Sequence, residues 1–167
     1  CITVSVRMYG VVYAYHTGRF DGNFRQYYDA ATTKPQVLSD EFTREYFMAL
    51  IDAGENQKKT AKAFLATEQM IPGLGNGVLQ DILYNARVHP KTKVALLDAK
   101  ARGEVYDSIR STLSEMHANG GRNSEKDLYD VSGRYVPWLS KDTEGAACVR
   151  CGGIIVKENF MGGSIYY

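Results

Sequence analysis

The run Ile71-Pro72-Gly73-Leu74-Gly75-Asn76-Gly77 constrains this chain more than any other stretch. Pro72 stops a helix arriving from the amino-terminal side. The glycines permit positive φ and let backbone approach a ligand closely. Beyond them Val78, Leu79, Ile82, Leu83 and Ala86 recur at helical spacing, which predicts a second helix over 75–87. Asn76 is placed to cap that helix. The amide N–H groups of that helix's first turn and the positive end of its dipole then face whatever lies ahead of the turn, and a phosphate fits there. A Gly-x-Gly turn also serves as a plain helix–helix connection.

Charge sharpens the choice. The chain as a whole is nearly neutral, at +1. Residues 56–93, however, carry Lys58, Lys59, Lys62, Arg87, Lys91 and Lys93 against Glu68 and Asp81 alone, a local excess of +4. A patch of this kind neutralises phosphates even when the global balance is flat, although a solvated basic face has the same composition. Lys62 precedes the turn, and Arg87 and Lys91 follow the second helix, so the spacing lets several of them converge on one DNA strand.

The rest of the chain frames that turn. Ile2, Val4 and Val6 alternate with Thr3 and Ser5 as in a half-buried strand, Val11–Tyr15 reads as a second strand and Phe24–Tyr28 as a third. After Thr33-Lys34-Pro35 the pattern turns helical. Ser39 is the expected cap of a helix bearing Phe42, Tyr46 and Leu50 on one face, ended by Gly54. Thr60–Thr67 is a short helix, and 98–119 a long one with Val105, Ile109, Leu113 and Met116 inward and Gly120-Gly121 as its stop. An irregular stretch follows, then strands at Ile154–Val156 and Ile165–Tyr167 around a turn at Met161–Gly163. Pro137 and Trp138 read as packing residues. No run of apolar residues is long enough for a membrane span, and the start lacks the basic segment and apolar core of a signal peptide. The sequence opens without Met in a strand-like run and stops in another, so both ends read as truncations.

Cys148-Val149-Arg150-Cys151-Gly152-Gly153 before a β-hairpin has the form of a zinc-ribbon knuckle, and also that of a redox Cys-x-x-Cys pair. Tetrahedral structural zinc needs four ligands, and this chain offers two there. Asp81, on the helix after the turn beside core-facing Ile82 and Leu83, is an acid of open role. No Ser-His-Asp or Cys-His arrangement is visible.

The stretch Phe64–Pro90, with Pro72-Gly73-Leu74-Gly75-Asn76-Gly77 at its centre, resembles the helix–two-turn–helix signature of formamidopyrimidine-DNA glycosylases and endonuclease VIII proteins. Gly120-Gly121-Arg122-Asn123 resembles the family's glycine-led loop after its long helix, and Cys148–Tyr167 the first half of its zinc-finger hairpin. The resemblance implies a mainly α fold in three parts: residues 1–33 as remnant of an amino-terminal β-sandwich, 34–137 as the DNA-binding helical domain and 138–167 as a truncated zinc-ribbon hairpin. It implies duplex DNA, damaged or abasic, as partner. Asn76, Lys62 and the amides of Gly75 and Gly77 would grip a phosphate, Asp81 would lie near the amino-terminal nucleophile, and Cys148 and Cys151 would be two of four ligands for Zn2+ in the intact protein. Gly163 or Ser164 stands where the family's finger tip presents an arginine to phosphate. The parent activity would be base-excision DNA glycosylase and AP lyase, with a proline amine forming a Schiff base at the sugar C1′ and an adjacent glutamate. Those residues are not on this chain, so it alone should not cleave DNA. The other readings are a non-catalytic relative that binds damaged or bent duplex, and a zinc-ribbon protein-interaction module. A cytoplasmic, nucleoid-associated setting of bacterial type is the expected location.

Overall fold

The computed structural model of the chain describes His16 and residues 25–67 and 70–167. The strands expected before residue 24 lie outside the described residues. Where the third was expected there is a helix, α1 (Arg25–Thr33). Its aromatic start reads as a strand, but its polar residues repeat at helical spacing. Arg25 Nε meets Asp29 Oδ2 at 3.4 Å, and the hydroxyls of Thr32 and Thr33 donate back to the carbonyls of Tyr28 and Asp29.

Helix α2 (Arg44–Asp52) begins later than the sequence predicts. Thr43 caps it, its Oγ1 accepting from Tyr46 N at 3.1 Å. Ser39 instead closes a turn by donating to Gln36 O. The buried face also lies one position on from the one expected. Phe47 and Ile51 are fully buried, while Tyr46 and Leu50 pack at its margin. Phe42, just ahead of the helix, stacks on Tyr106 at 5.9 Å, and Phe47 meets Phe64 edge-on at 6.0 Å.

The segment between α2 and the glycine turn is zipped to residues 90–94. Thr60 bridges Lys93, Ala61 N donates to Thr92 O, and Val94 N donates to Lys59 O. A π-helical turn, Ala63–Thr67, buries Ala63, Phe64 and Leu65. Helix α3 (Asn76–Asn85) follows the glycine turn and packs on α4 (Ala99–Ala118). Two side-chain bonds tie them: Ser108 Oγ donates to Ile82 O at 2.7 Å and Asn85 Nδ2 to Thr112 Oγ1 at 3.0 Å. Asp98 caps α4 by accepting from Ala101 N. Gly120 and Gly121, at φ of +69° and +100°, end it as expected, with Gly121 N reaching back to Met116 O.

The carboxy-terminal hairpin pairs β1 (Lys157–Phe160) with β2 (Gly163–Tyr166) antiparallel. The first strand starts three residues later than expected, because Ile155 instead bonds to Ala146 and only Ile155 of the 154–156 run is buried. The two-residue turn Met161-Gly162 has positive φ at both positions, the conformation that suits tight hairpins. Ile165 is fully buried and docks β2 on α3. The described chain is thus mainly helical with one antiparallel hairpin.

Truncating Phe47 removes the centre of the aromatic cluster. Phe47→Ala is expected to lower unfolding free energy by about 3–5 kcal/mol, read as a shifted urea midpoint, whereas Leu128→Ala, at a fully exposed position, should leave that midpoint in place.

Candidate nucleic-acid interface

The glycine turn delivers α3 with its first turn bare. Gly75 is the capping residue in extended backbone (φ −101°, ψ 172°) and brings no side-chain cap. The amides of Gly75, Asn76 and Gly77 have no acceptor among the described residues, while Val78 N and Leu79 N bond to Gly75 O. Asn76 is therefore the first helical residue and not the cap that the sequence suggested. Three free N–H groups at the positive end of a helix dipole make an electropositive mouth.

The hairpin tip lies against that mouth. Asn76 Nδ2 donates to Ser164 O at 3.0 Å, and its Oδ1 is buried without a donor among the described residues. Lys62, 2 % exposed, points its ammonium into the tip and donates to the carbonyls of Phe160 and Gly163. Burial pushes its pKa below the ordinary lysine value. Gln80 is the anchor that sequence reasoning passed over. Its Nε2 donates to Ser164 O and Asn76 O, and its Oε1 accepts from Tyr166 N at 3.1 Å. The signal was its position four residues after Asn76, one helical turn along the same face. Lys91 pairs with Glu158 and lies 5.3 Å from the Phe160 ring centroid.

Of the basic residues, then, Lys62 and Lys91 converge on the hairpin. Arg87 does not. It lies just past the carboxy-terminal end of α3, about 15 Å of helix from the mouth, beside a cavity of 840 Å³ lined also by Tyr84, His89, Cys148 and Cys151.

Asp81 is buried, 1 % exposed. Its carboxylate accepts from Tyr135 Oη at 2.8 Å, Trp138 N at 3.0 Å and Leu139 N at 2.9 Å. Burial pushes its pKa up, and the three donors pull against that. The irregular chain at 135–139 is thereby pinned to α3. Tyr135 N in turn donates to Gly121 O, and Asn123 N to Tyr135 O, so the loop after α4 is fixed beside the mouth. Trp138 packs on Tyr84 with ring centroids 6.3 Å apart, yet stays half exposed.

Cys148 and Cys151 form a knuckle. Cys148 N donates to Gly153 O, Gly152 N to Cys148 O and Arg150 N to Cys148 Sγ at 3.4 Å. Tyr84 Oη lies 3.5 Å from that sulfur. These donors, Tyr84 foremost, lower the Cys148 thiol to about 7, toward the thiolate a metal ligand must be. The pair fits half of a tetrahedral zinc set. No group of three or more His, Cys, Asp or Glu side chains able to hold a metal occurs among the described residues.

A helix–turn–helix whose bare helix mouth faces a β-hairpin tip is the architecture these contacts define. Residues 34–127, more than half of the chain, match the formamidopyrimidine-DNA glycosylase H2TH domain, and the chain belongs to that family. It is 31% identical over 139 residues to the formamidopyrimidine-DNA glycosylase of Carboxydothermus hydrogenoformans, covering 80% of this chain and 51% of that one. Against the enzyme of Novosphingobium aromaticivorans it is 30% identical over 162 residues, covering 94% and 56%. The chain spans about half the length of the curated relatives it matches. Among solved structures, the MutM (Fpg) protein of Thermus thermophilus superposes with a TM-score of 0.73 at 22% identity, over 87% of this chain and 56% of that one. The Lactococcus lactis Fpg in complex with abasic-site DNA gives 0.71 at 22% identity, over 86% and 53%. No helix among the described residues is long and apolar enough to cross a membrane.

Asp81→Asn replaces one acceptor oxygen by a donor and leaves a buried N–H or O–H unpaired. Its expected cost is ~1–3 kcal/mol of stability, measured by urea unfolding. An unchanged midpoint would show that the 135–139 segment is held by something else.

Proposed function

We propose that this chain is the DNA-binding portion of a base-excision-repair glycosylase and AP lyase that acts on damaged bases in duplex DNA, with the catalytic nucleophile supplied from outside this sequence. The observation that carries the reading is the mouth of α3. Three amides without an acceptor among the described residues, the helix dipole and the Lys62 charge behind the hairpin tip are focused on one spot, and a phosphate diester suits it. Lys62 acts from beneath the tip, since its ammonium is enclosed by the carbonyls of Phe160 and Gly163. Asn76 lies beside the same amides and would turn its side-chain amide from Ser164 O to the phosphate. Asp81 serves this function by fixing the loop after α4, and any nearness to a nucleophile comes from the part of the protein beyond this chain. Cys148 and Cys151 supply two of four ligands to Zn2+, which would stiffen the hairpin base in the intact protein. The proposed setting is the bacterial nucleoid, in keeping with the sources of the matched relatives.

One observation favours a second reading, a relative that binds damaged or bent duplex without cutting it. The tip carries Gly162-Gly163-Ser164, none of which makes the bidentate phosphate contact of an arginine.

Two measurements separate these readings. Affinity for a duplex containing an abasic analogue should fall steeply with salt, with a slope near −0.9 for each phosphate neutralised. Asn76→Ala should weaken binding to every sequence alike. A flat salt response would remove both DNA readings and leave the interaction module. Borohydride trapping of the complete protein on abasic DNA gives a covalent adduct if it is a lyase and none if it only binds.

A further inference from the structure

We infer that Arg122 is the guanidinium with which this chain completes its phosphate grip, doing from the loop after α4 what the glycine hairpin tip cannot. The inference rests on the DNA-binding reading above and deepens it.

Position 77 shows the arrangement. Gly77 lies in the first turn of α3, where glycine lowers helix stability. A Cβ built there would stand 2.3 Å from Arg122 Nη1 and 2.5 Å from Nη2. The guanidinium therefore rests on bare helix backbone, in a berth that only glycine leaves open. Its loop is fixed through Tyr135, which Asp81 holds. Arg122 is consequently delivered to the mouth of α3 by the buried carboxylate of that same helix.

The charge placement works against the helix field, and the buried Asp81 carboxylate, close enough to interact with Arg122, compensates only in part. A cation at the amino-terminal end of a helix opposes the dipole. Glu125 offsets part of the cost, accepting from Arg122 Nε at 3.1 Å and Nη2 at 2.6 Å, with its second oxygen accepting from Arg122 N. Arg122 holds the Glu125 carboxyl below its ordinary pKa. That leaves Nη1, the nitrogen nearest the bare turn, with no acceptor among the described residues. A cavity of 230 Å³ opens at this place, lined by Asn76, Gly77 and Arg122 together with Lys141 and Asp142. An anion there meets free helix amides on one side and Nη1 on the other.

The hairpin explains why the charge sits here. A Cβ at Gly163 would stand 3.3 Å from Asn76 Nδ2, tighter than most contacts, and 3.4 Å from Lys62 Nζ. In this packing the tip sits directly on the two polar side chains of the mouth and brings no cation of its own. The loop brings it from the opposite side.

The test is fluorescence anisotropy of the whole chain on a duplex containing an abasic analogue, from low to moderate KCl. Arg122→Gln is expected to weaken binding about tenfold and to reduce the slope of log affinity against log salt by about 1. Gly77→Ala should do the same by evicting the guanidinium, although alanine is the better helix former. A steep slope unchanged in both variants overturns the inference and leaves the DNA reading standing. A changed ratio of affinities between base-bearing and abasic duplexes at unchanged slope also overturns it, because Arg122 would then read a base. A flat response in the unmodified chain overturns the DNA reading, and the inference falls with it.

Discussion

The buried carboxylate of Asp81 holds the functional half of this molecule together. Taking a carboxylate out of water is costly without compensation. Here one phenol and two backbone amides supply it, all from residues 135–139. Those residues belong to a stretch with no helix or strand of its own, which could not otherwise choose a path across α3. One side chain thus converts an irregular segment into a fixed wall. The loop after α4 inherits that rigidity through the Gly121–Tyr135 and Asn123–Tyr135 backbone bonds. The mouth of α3 is walled on one side by that loop and on the other by the hairpin.

The hairpin is held by a different device. Lys62, Asn76 and Gln80 donate to tip carbonyls, and Gln80 also accepts from the Tyr166 amide. These are polar contacts to backbone, so they fix the position of the tip whatever its side chains are. Ile165 adds the apolar anchor. Such an arrangement tolerates a tip of small residues. It also means that the cation for an incoming phosphate has to come from elsewhere, and Arg122 lies across the cavity.

Much of this was legible in the sequence, because it rests on local rules. The proline and glycines of 72–77 announced a break and a helix start, although the cap expected at Asn76 falls instead on Gly75, which brings no side chain, and the apolar spacing of 78–86 announced the helix. The Gly120-Gly121 stop and the inward face of α4 followed from the same periodicity. The failures were of two kinds. At Phe24–Tyr28 an aromatic run imitated a strand where short-range polar bonds make a helix, and at Ser39 one plausible cap concealed a better one at Thr43, while the buried face of α2 lies one residue on from the expected stripe. The other kind was long-range. Asp81 finds its donors 54 to 58 residues away, and Lys62 finds its acceptors about a hundred residues on. No spacing rule reaches that far. The pairing of Gly77 with Arg122 belongs here too. A glycine inside a helix asks what comes close to it, and only the folded chain supplies the answer.

Binding of DNA backbone at the mouth of α3, between the loop and the hairpin tip, is the proposal on which the functional reading turns. The most direct measurement is amide chemical-shift mapping of the isotopically labelled chain titrated with an abasic-analogue duplex. The largest shifts are expected at Gly75, Asn76 and Gly77, with accompanying shifts at Arg122 and across 160–164. Shifts concentrated instead around Tyr84, His89 and Cys148, with the α3 mouth silent, would contradict it.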